Sequence, residues 1–272
     1  MKRRLLALDL DGTLLLRSGG VHARDVAAIA RARKAGFHVT LATGRLTTGT
    51  LPTARLLDLD DPMVCGDGAT IADPRTGVPI ERRAVSPAST DAIVQQLLRH
   101  GLVPFVFVHG AIHGDARGRH HHDAVRIWTE DVHWHADVEA TDAWRGEGEV
   151  AMTLGLGSHE ATANARAHLH EHHGALEHDR FDFGGASMLR SLQKHTSKGA
   201  ALARVAERLG VAREDTAAVG DWVNDLSMFR WVGRSFAMGG APPEVASVAT
   251  DQLGAPAGQG GGVAEAIDRL LG

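Results

Sequence analysis

With 272 residues, 43% of them hydrophobic and 23% charged, the chain can bury one large core or two modest ones, and its formal charge of -4 gives no reason to expect nucleic acid or an anionic membrane as the main partner. The single cysteine, Cys65, excludes an internal disulfide framework, suits a reducing compartment and reads as a small core residue. No stretch reaches the roughly 20 apolar residues needed to span a bilayer, so a small molecule is the expected partner and the cytoplasm the expected location, with oligomeric state left open.

Met1-Lys2-Arg3-Arg4 and the apolar run after it superficially resemble a signal peptide, but Asp9 and Asp11 interrupt that run and no cleavage-like site follows. Residues 5–13, Leu5-Leu6-Ala7-Leu8-Asp9-Leu10-Asp11-Gly12-Thr13, read instead as a strand buried on both faces. It delivers two acids to its carboxyl end, where open α/β sheets gather ligands. Acids one residue apart on an extended backbone take similar orientations, so Asp9 and Asp11 are expected to share one small space. That is costly unless a cation neutralises them or one is protonated. The plainer reading is an ordinary Asp-x-Asp-Gly turn.

Residues 21–35 read as a helix with Val26, Ile29 and Ala30 on one face, stopping at Gly36. Residues 37–42 form a second strand that runs into Thr43-Gly44-Arg45, a hydroxyl, a permissive backbone and a guanidinium that together suit a phosphate; Thr43 alone would equally serve as the cap of the helix running through Leu56. Residues 63–65 form a third strand, parallel to the others, with a third glycine-rich end, Gly66-Asp67-Gly68-Ala69. A hairpin centred on residues 73–77 leads away from the sheet. From about Ser86 the character changes to helix-like and strand-like pieces rich in histidine: a helix at 87–100, strands at 103–108 and near 149–156, and a helix at 159–173. This reads as an inserted α+β domain.

The histidines of that insertion, His120-His121-His122, His133 with His135, and His168 with His172 at helical i, i+4 spacing, resemble metal ligands. No carboxylate or cysteine pattern accompanies them at zinc-site spacing, so they are read as a solvated surface. The sheet domain is expected to resume with residues 187–192. Next comes a helix at 200–209, with Lys198 in its first turn against the helix dipole, a placement that points to a bound anion. Residues 216–219 form a strand ending in Gly220-Asp221-Trp222-Val223-Asn224-Asp225. Its two acids join Asp9 and Asp11 in a hard-oxygen set suited to magnesium. A strand at 236–239 and a helix at 263–271 close the chain.

These residues match a known pattern: Asp9-Leu10-Asp11-Gly12-Thr13, Thr43-Gly44-Arg45, Lys198-Gly199, Gly220-Asp221 with Asn224-Asp225, Ala237-Met238-Gly239 and Gly262-Val263-Ala264. In order and spacing the sequence resembles the Cof-type branch of the haloacid dehalogenase superfamily of phosphohydrolases over essentially its full length. The resemblance implies a Rossmann-like parallel-sheet core, residues 1–83 and 187–272, with an α+β cap, residues 84–186, that closes over it and chooses the substrate. It departs from the usual pattern at Asp67, where Asn is customary, at Gly240, and at the bulky Trp222.

The resemblance further implies a Mg²⁺-dependent phosphomonoester hydrolase acting on small phosphorylated metabolites such as sugar phosphates. Asp9 would be the nucleophile, giving an aspartyl-phosphate, and Asp11 the acid and later base. Thr43 and Lys198 would neutralise phosphoryl oxygens. Gly12, Gly44, Arg45 and Asn224 would line the phosphate, with Asn224 orienting Lys198 or Asp221. Mg²⁺ would be held by the Asp9 carboxylate, the Asp11 backbone carbonyl and the Asp221 carboxylate, with Asp225 supporting its waters. A phosphosugar mutase of the same superfamily, or a non-catalytic phosphate-binding protein, are the alternatives; retention of Asp9, Asp11, Lys198 and Asp221 argues against the last.

Overall fold

The computed structural model describes residues 3–108, 110–145, 149–183 and 186–272; Met1 and Lys2, half of the basic tetrapeptide that opens the chain, lie outside them. The chain divides into two compact units, one made of Met1–Glu81 with Ser197–Gly272, the other of Arg82–Thr196. No helix among the described residues is long and apolar enough to cross a membrane.

The first unit opens with β1 (Arg4–Leu8). Helix α1 (Ala23–Lys34) follows, starting two residues later than its apolar pattern predicts, because Val21 bridges Leu15 and the ring of His22 caps the helix. Its buried face is Asp25, Ala28, Ile29 and Ala32, whereas Ala30 is exposed. Strand β2 (Phe37–Leu41) and helix α2 (Thr47–Leu56) lead to β3 (Met63–Cys65), which continues the parallel direction through an Ala42–Val64 bridge. The same β3 forms the first strand of a small sheet with β4 (Thr70–Ala72) and β5 (Pro79–Arg82), pairing antiparallel with β4, so the expected hairpin is present as an extension of that strand.

The second unit contains α3 (Pro87–Arg99), β6 (Val103–Val108), β7 (Ala111–Asp115), the one-turn α4 (His122–Val125), β8 (Val132–His135), β9 (Val150–Gly157), α5 (His159–His172), β10 (Leu176–Phe183) and β11 (Ala186–Gln193). Its six strands run in the order β10-β11-β9-β6-β7-β8. Ile93, Val94 and Leu97 of α3 and Ala165 and Leu169 of α5 share a core with Val106, Val108 and Leu189 of the sheet. Here the structure corrects the expectation that residues 187–192 rejoin the parallel sheet: β11 pairs antiparallel with β10 and β9. The reason is visible in its burial, which alternates through Met188, Leu189, Arg190 and Ser191 as in a strand with one open face, unlike the unbroken burial of β1.

The chain returns to the first unit at Ser197, whose hydroxyl caps α6 (Lys198–Leu209), and Gly210 ends that helix in the left-handed region (φ +64°). Strand β12 (Thr216–Gly220), helix α7 (Leu226–Trp231), strand β13 (Arg234–Gly239), the short α8 (Pro243–Ala246), strand β14 (Asp251–Pro256) and helix α9 (Gly262–Leu271) complete it. The five-stranded parallel sheet has the order β14-β13-β12-β1-β2, with β1 inside it between β12 and β2. Alternate residues of β1 serve opposite faces: Leu6 and Leu8 pack with Ile29, Val263 and Ile267, while Leu5 and Ala7 pack with Ala201, Leu202 and Val205. Helices on both sides therefore explain why β1 is apolar throughout and shows no alternation.

Candidate active site

Parallel pairing of β1 with β12 runs in register from Leu5–Thr216 to Leu8–Val219, and Asp9 N–H continues it by donating to the Val219 carbonyl at 3.0 Å. Two strand ends that are distant in sequence thus present Asp9 and Asp221 side by side. Gly12 makes the turn with φ +85°, and a Cβ there would lie 2.2 Å from Asp221 Oδ2, so only glycine fits this approach. Thr13, which the sequence placed in the motif without a role, donates its hydroxyl to Asp221 Oδ1 at 2.8 Å.

Lys198 is almost wholly buried (1% exposed), and its Nζ lies 2.6 Å from Asp9 Oδ1 and 2.7 Å from Asp225 Oδ1. Burial works against the ammonium, but the carboxylates of Asp225, Asp9 and Asp67 outweigh it and raise the Lys198 pKa, so the side chain stays charged. Gly199 explains how the helix reaches this position: a Cβ on it would meet the Ser227 backbone at 2.2 Å, and its N–H donates to Ser227 Oγ at 3.1 Å. The lysine that opposes the helix dipole is therefore accounted for by two carboxylates inside the protein itself.

Asp225 is the hub of this arrangement. One of its oxygens accepts from Lys198, and the other accepts from the N–H groups of Asp221 (2.9 Å) and Trp222 (3.1 Å). Gly220 gives it room, since a Cβ there would stand 2.4 Å from Asp225 Oδ2. Asn224, expected to orient Lys198 or Asp221, instead donates to Asp67 Oδ1 at 2.9 Å. Asp67 in turn sits in the left-handed region (φ +52°) between two glycines, with its N–H on the Thr43 carbonyl at 3.0 Å. It ties the 66–68 loop to both the Thr43 loop and the 222–225 loop. A lone acid between glycines at a strand end was the signal for it, but an Asp and a turn residue look the same in sequence.

Thr43 is fully buried and does not cap α2, whose N-cap is Leu46; its hydroxyl oxygen accepts from Arg45 N–H at 3.1 Å. Gly44 occupies the bend between them. Arg45 grips Asp11 with both ends of its guanidinium, at 2.8 Å and 2.5 Å. This corrects the expectation that Asp9 and Asp11 share one small space: Asp9 turns inward to Lys198 and is 4% exposed, while Asp11 is about half exposed and turns to Arg45.

Among the described residues, one oxygen each from Asp9, Asp221 and Asp225 lie within 4.8 Å of one another, a set able to hold a metal ion. The Asp11 carboxylate is not in that set. Burial is the largest influence on Asp9 and raises its pKa well above the usual carboxylate range, with Lys198 opposing and Asp225 and Asp221 reinforcing the rise. Asp221 is pushed up to about 6, by burial first and then by Asp225, against the hydroxyl of Thr13. The cluster thus holds more negative charge than one lysine balances. Three hard oxygen donors with an unmet need for positive charge fit a divalent cation.

The sequence pattern of haloacid dehalogenase-like hydrolases matches residues 6–267. The chain belongs to this family. Among curated relatives it is 29% identical to a 5-amino-6-(5-phospho-D-ribitylamino)uracil phosphatase of Bacillus subtilis strain 168, covering 98% of each chain. It is 26% identical to a pyridoxal phosphate phosphatase of Escherichia coli K12, covering 93% of this chain and 94% of that one. Among solved structures, a haloacid dehalogenase-like hydrolase from Bacteroides thetaiotaomicron superposes with a TM-score of 0.83 over 99% of this chain and 100% of that one, at 23% identity. A subclass IIB sugar phosphatase of the same superfamily gives 0.81 over 98% of both chains, at 20% identity. This is the fold that the Cof-type resemblance implied: a parallel α/β sheet of the haloacid dehalogenase type, with a separate antiparallel sheet in residues 82–196 consistent with a cap.

Proposed function

We propose that the protein is a Mg²⁺-dependent phosphomonoester hydrolase that works through an aspartyl-phosphate on Asp9, with small phosphorylated metabolites such as sugar phosphates as substrates. The observation that carries this reading is the buried Asp9 at the tip of β1, held by Lys198 within a cluster of three carboxylates. Mg²⁺ held by Asp9, Asp221 and the backbone carbonyl of Asp11, with Asp225 behind them, would supply the positive charge that keeps these acids ionised beside an incoming phosphate.

The chain's own residues do the rest. An Asp9 carboxylate oxygen attacks phosphorus and the ester P–O bond breaks, while Asp11 gives its proton to the leaving alkoxide. Water then attacks the phosphoenzyme, passes a proton to Asp11, and orthophosphate leaves as the Asp9–phosphorus bond breaks. Asp11 suits this traffic because it is exposed enough for leaving group and water to reach, and Arg45 fixes its position. Lys198, kept charged by its carboxylate neighbours, meets the phosphoryl oxygens without needing to be recruited from solvent. Thr43 Oγ1 already accepts from Arg45 N–H, which directs its own proton elsewhere, toward a phosphoryl oxygen. Residues 82–196 are proposed to select the substrate.

The test is hydrolysis of a generic aryl phosphate by purified protein. Activity should vanish with a chelator, return with Mg²⁺, and return poorly with Ca²⁺, whose larger radius and looser coordination spoil in-line attack. Full activity in excess chelator refutes the proposal. A panel of phosphorylated metabolites with Mg²⁺ then identifies the substrate.

A further inference from the structure

The fold of residues 82–196 gathers histidines that are far apart in sequence. His168 and His172 lie one turn apart on α5, their ring centroids 4.3 Å apart and their planes inclined by 19°. His100, the C-cap of α3, brings a third ring within 6.0 Å of His168. The spacing on α5 was already suggestive in the sequence; what the sequence lacked was His100, 68 residues away, and any sign of which ring nitrogens are available.

The structure supplies that sign. His172 Nδ1 is 2.9 Å from the backbone carbonyl of His168. A carbonyl oxygen only accepts, so Nδ1 carries the proton and Nε2 keeps its lone pair. Metal-bound imidazoles characteristically make this hydrogen bond, which fixes the tautomer and strengthens the donor. The Glu171 carboxylate lies 4.0 Å from the same Nδ1 and adds negative charge at the site. Burial, His172 and His100 all lower the His168 pKa, which favours the unprotonated ring. Half of the His172 side chain is exposed (51%), so an ion has access. The other close pair, His113 and His135, is a weaker candidate, because His113 Nδ1 and His135 Nε2 are 2.9 Å apart and satisfy each other.

We propose that His168 and His172, with His100 as a third ligand, form a site for a borderline divalent transition-metal ion such as Zn²⁺, chemically distinct from the all-oxygen cluster of Asp9, Asp221 and Asp225. Imidazole donors favour Zn²⁺, Cu²⁺ and Ni²⁺, whereas carboxylate oxygens favour Mg²⁺, so the two sites sort their ions by ligand type.

Calorimetric titration of Zn²⁺ into chelator-stripped protein held in excess Mg²⁺ tests this directly. The wild type should bind one Zn²⁺ in a stoichiometric step. His168→Ala and His172→Ala should each weaken that step by about tenfold or more, and His100→Ala by less, consistent with the affinity losses typical of altered metal sites. His172 is half exposed, so its variant tests the site without disturbing the core. Electron paramagnetic resonance of added Cu²⁺ should show nitrogen coupling that is lost in the His168→Ala/His172→Ala double variant. An unchanged Zn²⁺ titration across the three single variants, or nitrogen coupling that survives the double variant, overturns the proposal. Both readouts are independent of phosphatase activity, which should be unchanged in all these variants if the catalytic proposal holds.

Discussion

Lys198 is the residue on which the site's electrostatics turn, because it is the cation shared by Asp9 and Asp225 in a buried cluster. Replacing it by Met should abolish turnover and leave those carboxylates without their partner. Breaking a buried ion pair from one side typically costs about 3–5 kcal/mol, and urea unfolding of Lys198→Met should fall in that range, with Mg²⁺ recovering part of the loss. Asp221 gives a pH test whose sign follows from its raised pKa. Between the ordinary 3.8 and about 6 the folded chain holds a proton on Asp221 that the unfolded chain has released. The unfolded state therefore binds fewer protons in this window, and the stability associated with Asp221 falls as pH rises through it. In chelator, the wild type should lose roughly 1–2 kcal/mol relative to Asp221→Asn between those limits, after allowance for the partial exposure of the group. A wild type that gains stability relative to the variant as pH rises would contradict the assigned environment.

At the scale of elements, the strand ends are held together by backbone N–H groups satisfied by buried acids. Asp25, on α1, accepts from Gly261 N at 2.8 Å and Ala264 N at 2.7 Å, so it caps α9 from another part of the chain. Asp25→Ala should cost about 1–3 kcal/mol in unfolding free energy, because it leaves two buried donors unpaired at a helix start, and Asp25→Asn should recover some of it. The apolar strand β1, the glycine-ended helices and the motif residues were legible in the sequence because each depends on local chemistry: burial on two faces, a left-handed turn, a lysine out of place. Strands β7, β8, β10 and β14 were not, since they carry His, Asp, Glu, Gln and Pro, and pair through contacts with distant strands. The links between loops, Thr13 to Asp221, Asn224 to Asp67 and Arg45 to Asp11, were illegible for the same reason: each joins residues 34 to 208 positions apart. No local pattern encodes such a partner.

For the whole molecule, the placement of β11 decides where the two units can be separated. Excision of residues 82–196 with a short bridge should give a core that unfolds cooperatively and still binds Mg²⁺, because the parallel sheet and both its helical faces are complete without them. Excision of residues 84–186, the boundaries read from sequence, should give a less soluble product, since β11 would lose its pairing to β9 and β10 and expose a strand edge. Equal solubility of the two products would argue that the boundary is immaterial. The central claim, that Asp9 takes the phosphoryl group while Asp11 handles protons, is tested by mass spectrometry of peptides from acid-quenched protein given an activated aryl phosphate and Mg²⁺. In Asp11→Asn, whose nucleophile is intact but whose base is gone, an acyl-phosphate should accumulate on Asp9; in Asp9→Asn none should form. A label that maps to Asp11, or an intermediate that accumulates in Asp9→Asn, contradicts the assignment.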